Sequence, residues 1–122
     1  MAKRDLSGAI DFAHLETYTG ADPDLTEEVL SIFVEQSALW MRLLAPNAPA
    51  TSWRDAAHTM KGAALGIGAH ALAKACGEAE FQAEASPAAR AALLDPLQTA
   101  LDAVLSDIAA WRHELALRSL KG

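Results

Sequence analysis

A chain of 122 residues is long enough for one domain with a real core and too short for a catalytic domain plus a regulatory one. Half of it is apolar (52%), little of it is aromatic (6%), and Ala and Leu dominate, a composition that points to a helical bundle. Its 16 acidic and 10 basic residues leave a net charge of −6 with no long Lys/Arg cluster, so a phosphate backbone is repelled and no nucleic-acid partner is expected.

The first residues, Met1-Ala2-Lys3-Arg4-Asp5, turn acidic without an apolar signal segment. The longest charge-free stretch inside the helical region, Gly62 to Ala73, falls short of the roughly 20 residues that span a bilayer. The expectation is therefore a soluble, cytoplasmic protein with no membrane partner. Cys76 is the single cysteine and cannot form an intrachain disulfide. Its apolar series with Leu72 and Ala79 makes it a small core residue.

Taken in chain order, the sequence predicts five helical segments and no strand. Asp11 to Thr19 is a short amphipathic helix ended by Gly20. Asp22 caps the second helix, Pro23 sits in its first turn, and it runs to about Leu44. Leu25, Val29, Ile32, Phe33, Trp40, Leu43 and Leu44 keep helical spacing there, with Gln36 and Leu39 filling the same broad face. Pro46 and Pro49 make a loop.

Thr51 or Ser52 is the expected cap of the third helix, whose inward stripe is Trp53, Ala57, Met60 and Ala64. Gly66 and Gly68 supply the turn into a fourth helix, roughly Ala69 to Ala85, with a core face of Leu72, Ala75, Cys76, Ala79 and Ala83. Leu94, Leu97, Leu101, Val104, Ile108, Trp111 and Leu115 then step by three and four, a seam suited to a long antiparallel bundle helix. Pro96 either begins that helix or lies within a longer one that starts near Pro87. Short connections make the whole an all-α, antiparallel up-down-up-down four-helix bundle, with the short first helix covering one end. One domain over residues 1–122, with its core at about 7–118, is expected.

The run Ala57-His58-Thr59-Met60-Lys61-Gly62 places a nucleophile, a cation and a missing side chain on one helical face. Residues three and four apart are neighbours on a helix, so Lys61 and Gly62 lie one turn beyond His58, off the inward stripe. Gly in a helix interior is about 1 kcal/mol worse than Ala. At Gly62 that cost has two readings: it leaves the imidazole open to an incoming macromolecule, or it lets another helix pack closely.

This block, followed by Gly68-Ala69, Leu72, Cys76 and Glu80, resembles the histidine-containing phosphotransfer (HPt) domain of two-component phosphorelays. The likeness extends to the order of helices over nearly the whole chain. It implies that His58 is the phospho-accepting residue, that Lys61 helps neutralise the phosphoryl oxygens, and that Gly62 leaves room for a receiver domain. HPt proteins often carry Ser after the Lys-Gly pair, where Ala63 and Ala64 stand here.

The chemistry fits that implication. An ordinary imidazole titrates near pH ~6.5, so the neutral ring is available in the cytoplasm. Its Nε2 can attack a receiver aspartyl phosphate and later return the group to another receiver's Asp. Such transfer needs positioning and charge neutralisation above all. Mg2+ and the acidic pocket belong to the partner, so no cofactor of the chain's own is expected. Arg54, one turn before His58, offers a second cation, and Leu65 joins the contact surface.

Without the family pattern, an exposed helical His beside Lys and Arg is an ordinary solvated residue. His14, His70 and His113 are read that way, as surface or helix-end residues. Glu78, Glu80 and Glu84 form the wet face of the fourth helix, Glu80 on the side of the His helix. None pairs with a histidine at metal-ligand spacing, so no metal site is expected. Gly66-Ile67-Gly68 lacks the P-loop lysine and follows no strand, which argues against an autonomous kinase. The expected function is a monomeric phosphocarrier served by response-regulator receivers and a hybrid histidine kinase. The rival is a non-phosphorylated helical interaction module that binds a receiver or kinase without carrying phosphate.

Overall fold

The computed structural model describes residues 7–121, and they fold into five helices with no strand among them. In chain order these are α1 (Phe12–Thr19), α2 (Pro23–Leu43), α3 (Ala50–Gly66), α4 (His70–Phe81) and α5 (Pro87–Lys121). Helices adjacent in sequence pack on one another, α3 and α4 most extensively, and α2 meets α5 to close the bundle. The expected all-α architecture, with α1 as the short extra helix, is what the chain adopts.

The starts and stops of the first two helices follow their sequence signals. Asp11 caps α1 by accepting a bond from the His14 amide, and Gly20 ends it in the left-handed conformation (φ 63°) that favours glycine. Asp22 accepts from the Asp24 amide ahead of Pro23 in α2. The third start differs from expectation. α3 begins at Ala50, with Pro49 at the cap position and no side-chain cap bond, while Thr51 and Ser52 lie exposed in the first turn. The Pro49 carbonyl already receives the Trp53 amide at 3.1 Å, so the helix is under way before either hydroxyl could cap it.

α2 departs further. Its buried residues are Thr26, Leu30, Phe33 and Ser37, whereas Leu25, Ile32, Leu39 and Leu43 of the expected stripe are exposed. Two small polar residues sit at the centre of the true inward face because each has a local partner. Thr26 Oγ1 donates to Thr19 Oγ1 at 2.9 Å, and Ser37 Oγ donates to the Val34 carbonyl at 3.0 Å. The apolar stripe of α3 holds as expected, with Trp53, Ala57, Met60 and Ala64 fully buried.

α4 stops at Phe81, short of the expected Ala85, and turns carry the chain onward. There the Ala83 amide turns back to the Glu80 carbonyl at 3.3 Å instead of continuing the ladder, and Arg90, buried in α5, holds the turn by donating to the carbonyls of Ala83, Pro46 (3.1 Å) and Ala48 (2.6 Å). α5 runs unbroken from Pro87, with Pro96 inside it. The ring removes a donor to the carbonyl of Ala92, and both residues lie on the exposed side, where water can replace the lost bond. Leu97, Leu101, Val104 and Ile108 form the buried seam of α5.

Two clamps tie the chain's beginning to this frame. Asp107, buried in α5, accepts from the Ser7 amide (2.8 Å), the Ser7 hydroxyl (3.0 Å) and the Ile10 amide (3.3 Å). The Asp11 amide donates to the Gly68 carbonyl at 2.9 Å. Gly68 has a φ of +78°, and an added Cβ would stand 2.7 Å from the Asp11 carbonyl oxygen, so only glycine serves there.

Candidate functional site

α3 presents Arg54, His58, Lys61, Gly62 and Leu65 along one stripe, at steps of four, three, one and three residues. The buried stripe on its opposite side fixes this face toward solvent. Trp53 anchors the start of α3 to the end of α4 by donating from Nε1 to the Ala79 carbonyl at 2.7 Å. The Arg90 guanidinium lies 5.2 Å from the Trp53 ring centroid, closing the lock from α5. The relative rotation of α3 and α4 is thereby set, and with it what faces His58.

What faces His58 is Glu80. Its Oε2 is 2.9 Å from His58 Nδ1, and its Oε1 is 2.9 Å from Lys61 Nζ. The ammonium of Lys61 foremost, and the hydrogen bond from His58, hold the Glu80 carboxyl below its ordinary value against the opposing effect of burial. At neutral pH Glu80 is therefore ionised and can only accept. Nδ1 must then carry the ring proton, which leaves the lone pair of a neutral imidazole on Nε2. The His58 side chain is 67% exposed, so that nitrogen is within reach of a macromolecule.

Gly62 contributes open space. An added Cβ there meets nothing within 4 Å, so the reading in which Gly62 admits a packed helix does not hold. Gly77 in α4 is the glycine on which a neighbour rests: a Cβ there would lie 3.6 Å from Lys61 Cδ. Arg54 is directed to Glu84, with Nη2 2.9 Å from Oε1. Leu65 is 47% exposed. Ala64 is buried and Ala63 half-buried, and neither offers a hydroxyl; the bond that orients the imidazole comes from Glu80.

On the α2 side, the face continues into an open apolar groove of about 470 Å³ between α2 and α3, with Ile32, Phe33, Trp40 and Ala63 among its lining. The exposed Ile32 that departed from the expected core stripe is one wall of this groove. The other histidines lie elsewhere. His14 and His70 have ring centroids 6.0 Å apart at the α1 and α4 starts, His70 is 3.8 Å from Asp11, and His113 is exposed on α5. Among the described residues no group of three or more His, Cys, Asp or Glu is arranged to hold a metal ion, and no helix is long and apolar enough to cross a membrane. Cys76 is buried, and burial pushes its thiol up to about 12, so it remains a protonated core group.

The profile of the Hpt domain matches residues 27–111, from α2 to the last third of α5. The chain belongs to the Hpt family. The crystal structure of histidine phosphotransferase ShpA from Caulobacter crescentus is similar to this Hpt domain at 47% identity and a TM-score of 0.75, covering 93% of this chain and 99% of that one. No curated protein matches the chain. Hpt domains are phosphocarriers of two-component phosphorelays, and a phosphotransfer role is the one this membership supports.

Within this Hpt domain, sequence reasoning placed Glu80 near the His helix but not its double bond to His58 and Lys61. In sequence Glu78, Glu80 and Glu84 are equivalent acidic residues, and the family register alone singled out one of them. Arg90 carried no signal, because a buried arginine that serves backbone carbonyls looks like any helical surface arginine.

Proposed function

We propose that His58 accepts a phosphoryl group from the aspartyl phosphate of a receiver domain and passes it to the aspartate of another response regulator. The observation that carries this reading is the Glu80-bound imidazole, exposed and with Nε2 left as the basic nitrogen. The lone pair of Nε2 forms the new bond to phosphorus as the bond from phosphorus to the aspartate oxygen breaks, and the aspartate leaves as its carboxylate. The return step reverses these changes on a second receiver.

Each neighbour has a part in this reading. Lys61 neutralises developing charge on the phosphoryl oxygens from one helical turn away. Ionised Glu80 stabilises the proton on Nδ1 and the positive charge that the ring acquires as Nε2 gives up its lone pair. Gly62 leaves the approach open, and Arg54, Leu65 and the α2 groove receive the rest of the receiver's surface. Mg2+ belongs to the receiver's own acidic pocket. The partners are receivers and a hybrid histidine kinase, the carrier acts as a monomer, and the setting is the cytoplasm.

Transfer from a radiolabelled phospho-receiver with Mg2+ tests the assignment. The wild-type chain is expected to take up one label, acid-labile and alkali-stable, and His58→Gln to take up none. Retention of label by His58→Gln, with loss in a His14, His70 or His113 variant, would place the site elsewhere. A folded wild-type chain that binds receivers yet takes no label would be an interaction module.

A further inference from the structure

Phe81 is the last residue of α4 and is 82% exposed. Aromatic side chains are enriched at the energetic centres of interfaces, and a ring left this bare has its apolar area unused in the fold. Its neighbours locate it. Glu80, just before it, reaches His58; Glu84, three residues on, reaches Arg54. Gly77, one turn earlier on the same side of α4, lies against the stem of Lys61. Phe81 therefore stands at the axial level of His58, on the outer edge of the α3–α4 pair.

Electrostatics on this face favour an apolar anchor. Arg54 is paired with Glu84, and both His58 and Lys61 are paired with Glu80. The formal charges of Arg54, Lys61, Glu80 and Glu84 cancel, and Asp55, exposed one turn before His58, adds a single negative charge, so these groups offer a partner little net attraction and buried apolar area is the stronger source of affinity. Leu65, on the same α3 stripe two turns beyond His58, is a second exposed apolar side chain on this surface.

The geometry points to Phe81 as a specificity-determining anchor: a receiver that closes over His58 seats this ring in an apolar depression beside its phospho-aspartate pocket. This rests on the reading of His58 as the phospho-acceptor. A receiver lacking that depression is a poor partner even when its catalytic pocket is intact.

The test compares the full-length wild-type chain with Phe81→Ala and Leu120→Ala, using the receiver that labels the wild type fastest. Leu120 is a matched control, 85% exposed near the far end of α5. Phe81→Ala is expected to weaken receiver binding about five- to tenfold. The half-saturating receiver concentration rises with it, while the saturating transfer rate stays near wild type. Leu120→Ala is expected to change neither, and phosphoramidate, a donor too small to need docking, is expected to label all three chains alike. Unchanged receiver binding by a folded Phe81→Ala chain, or an equal loss in Leu120→Ala, overturns the anchor. So does a concentration-dependent dimer that Phe81→Ala abolishes, since the ring would then serve a second copy. Failure of phosphoramidate and receivers alike to label the wild type would strike the phospho-acceptor reading itself.

Discussion

A neutral imidazole has one nucleophilic nitrogen at a time, and which one depends on where the other's proton is held. In this Hpt domain Glu80 holds it at Nδ1. The residue pattern His58, Lys61, Gly62 was legible in sequence because helical spacing alone places those three on one face. The Glu80 bond was not, since it spans 22 residues and depends on the rotation of α4 against α3. At Gly62 the structure decides between the two sequence readings, and a prediction follows from the open space there. Gly62→Gln places a better helix former at an exposed position, so the circular dichroism spectrum and melting point should match or exceed those of the wild type. Transfer from a receiver should slow by about tenfold or more as the side chain obstructs the approach. Wild-type transfer rates in a folded Gly62→Gln chain would remove steric access from the account.

At the scale of the element, α2 shows where periodicity misleads. The sequence pattern favoured Leu25, Ile32, Leu39 and Leu43 because they are large and regularly spaced. The fold turns Thr26, Leu30 and Ser37 inward in their place, while Phe33 of the expected stripe is buried as expected. Hydroxyls that satisfy themselves on a nearby oxygen pack as small residues, a property that a count of apolar positions does not register. α3 carries no such substitutes and its inward stripe was readable directly; in α5 Leu97, Leu101, Val104 and Ile108 were readable, while the buried Arg90 and Asp107 beside them were not. The correction has a measurable consequence: Leu30→Ala, at a position with no exposure, should cost about 2–5 kcal/mol in urea melts. Ile32→Ala, 55% exposed, should stay within about 0.5 kcal/mol. The reverse order would mean that α2 is rotated from the orientation described.

The whole molecule depends on polar links between helices distant in sequence, which no local pattern announces. Glu27 of α2 takes two bonds from the Arg112 guanidinium of α5, at 2.9 and 3.0 Å, and Arg112 also donates to Ser31 at 2.9 Å. Arg112 chiefly, with Ser31, holds the Glu27 carboxyl below its ordinary value, as Lys61 does for Glu80. A carboxyl lowered in the folded state contributes stability that is fully present above its unfolded value, about 4.3, and is lost as the pH falls through the folded value. Urea midpoints should therefore drop as the pH is taken below about 4, and Glu27→Gln and Glu80→Gln should each flatten that drop. An acid limb as steep in both variants as in the wild type would assign it to other groups. The central claim is that this frame presents Nε2 of His58 to a phosphoryl donor while Glu80 retains the proton on Nδ1. Long-range nitrogen–proton correlation and phosphorus NMR on the phosphorylated, nitrogen-15-labelled chain test it most directly. The account predicts one phosphohistidine, at His58, with phosphorus on Nε2 and a proton on Nδ1; phosphorus on Nδ1, or on any other residue, would contradict it.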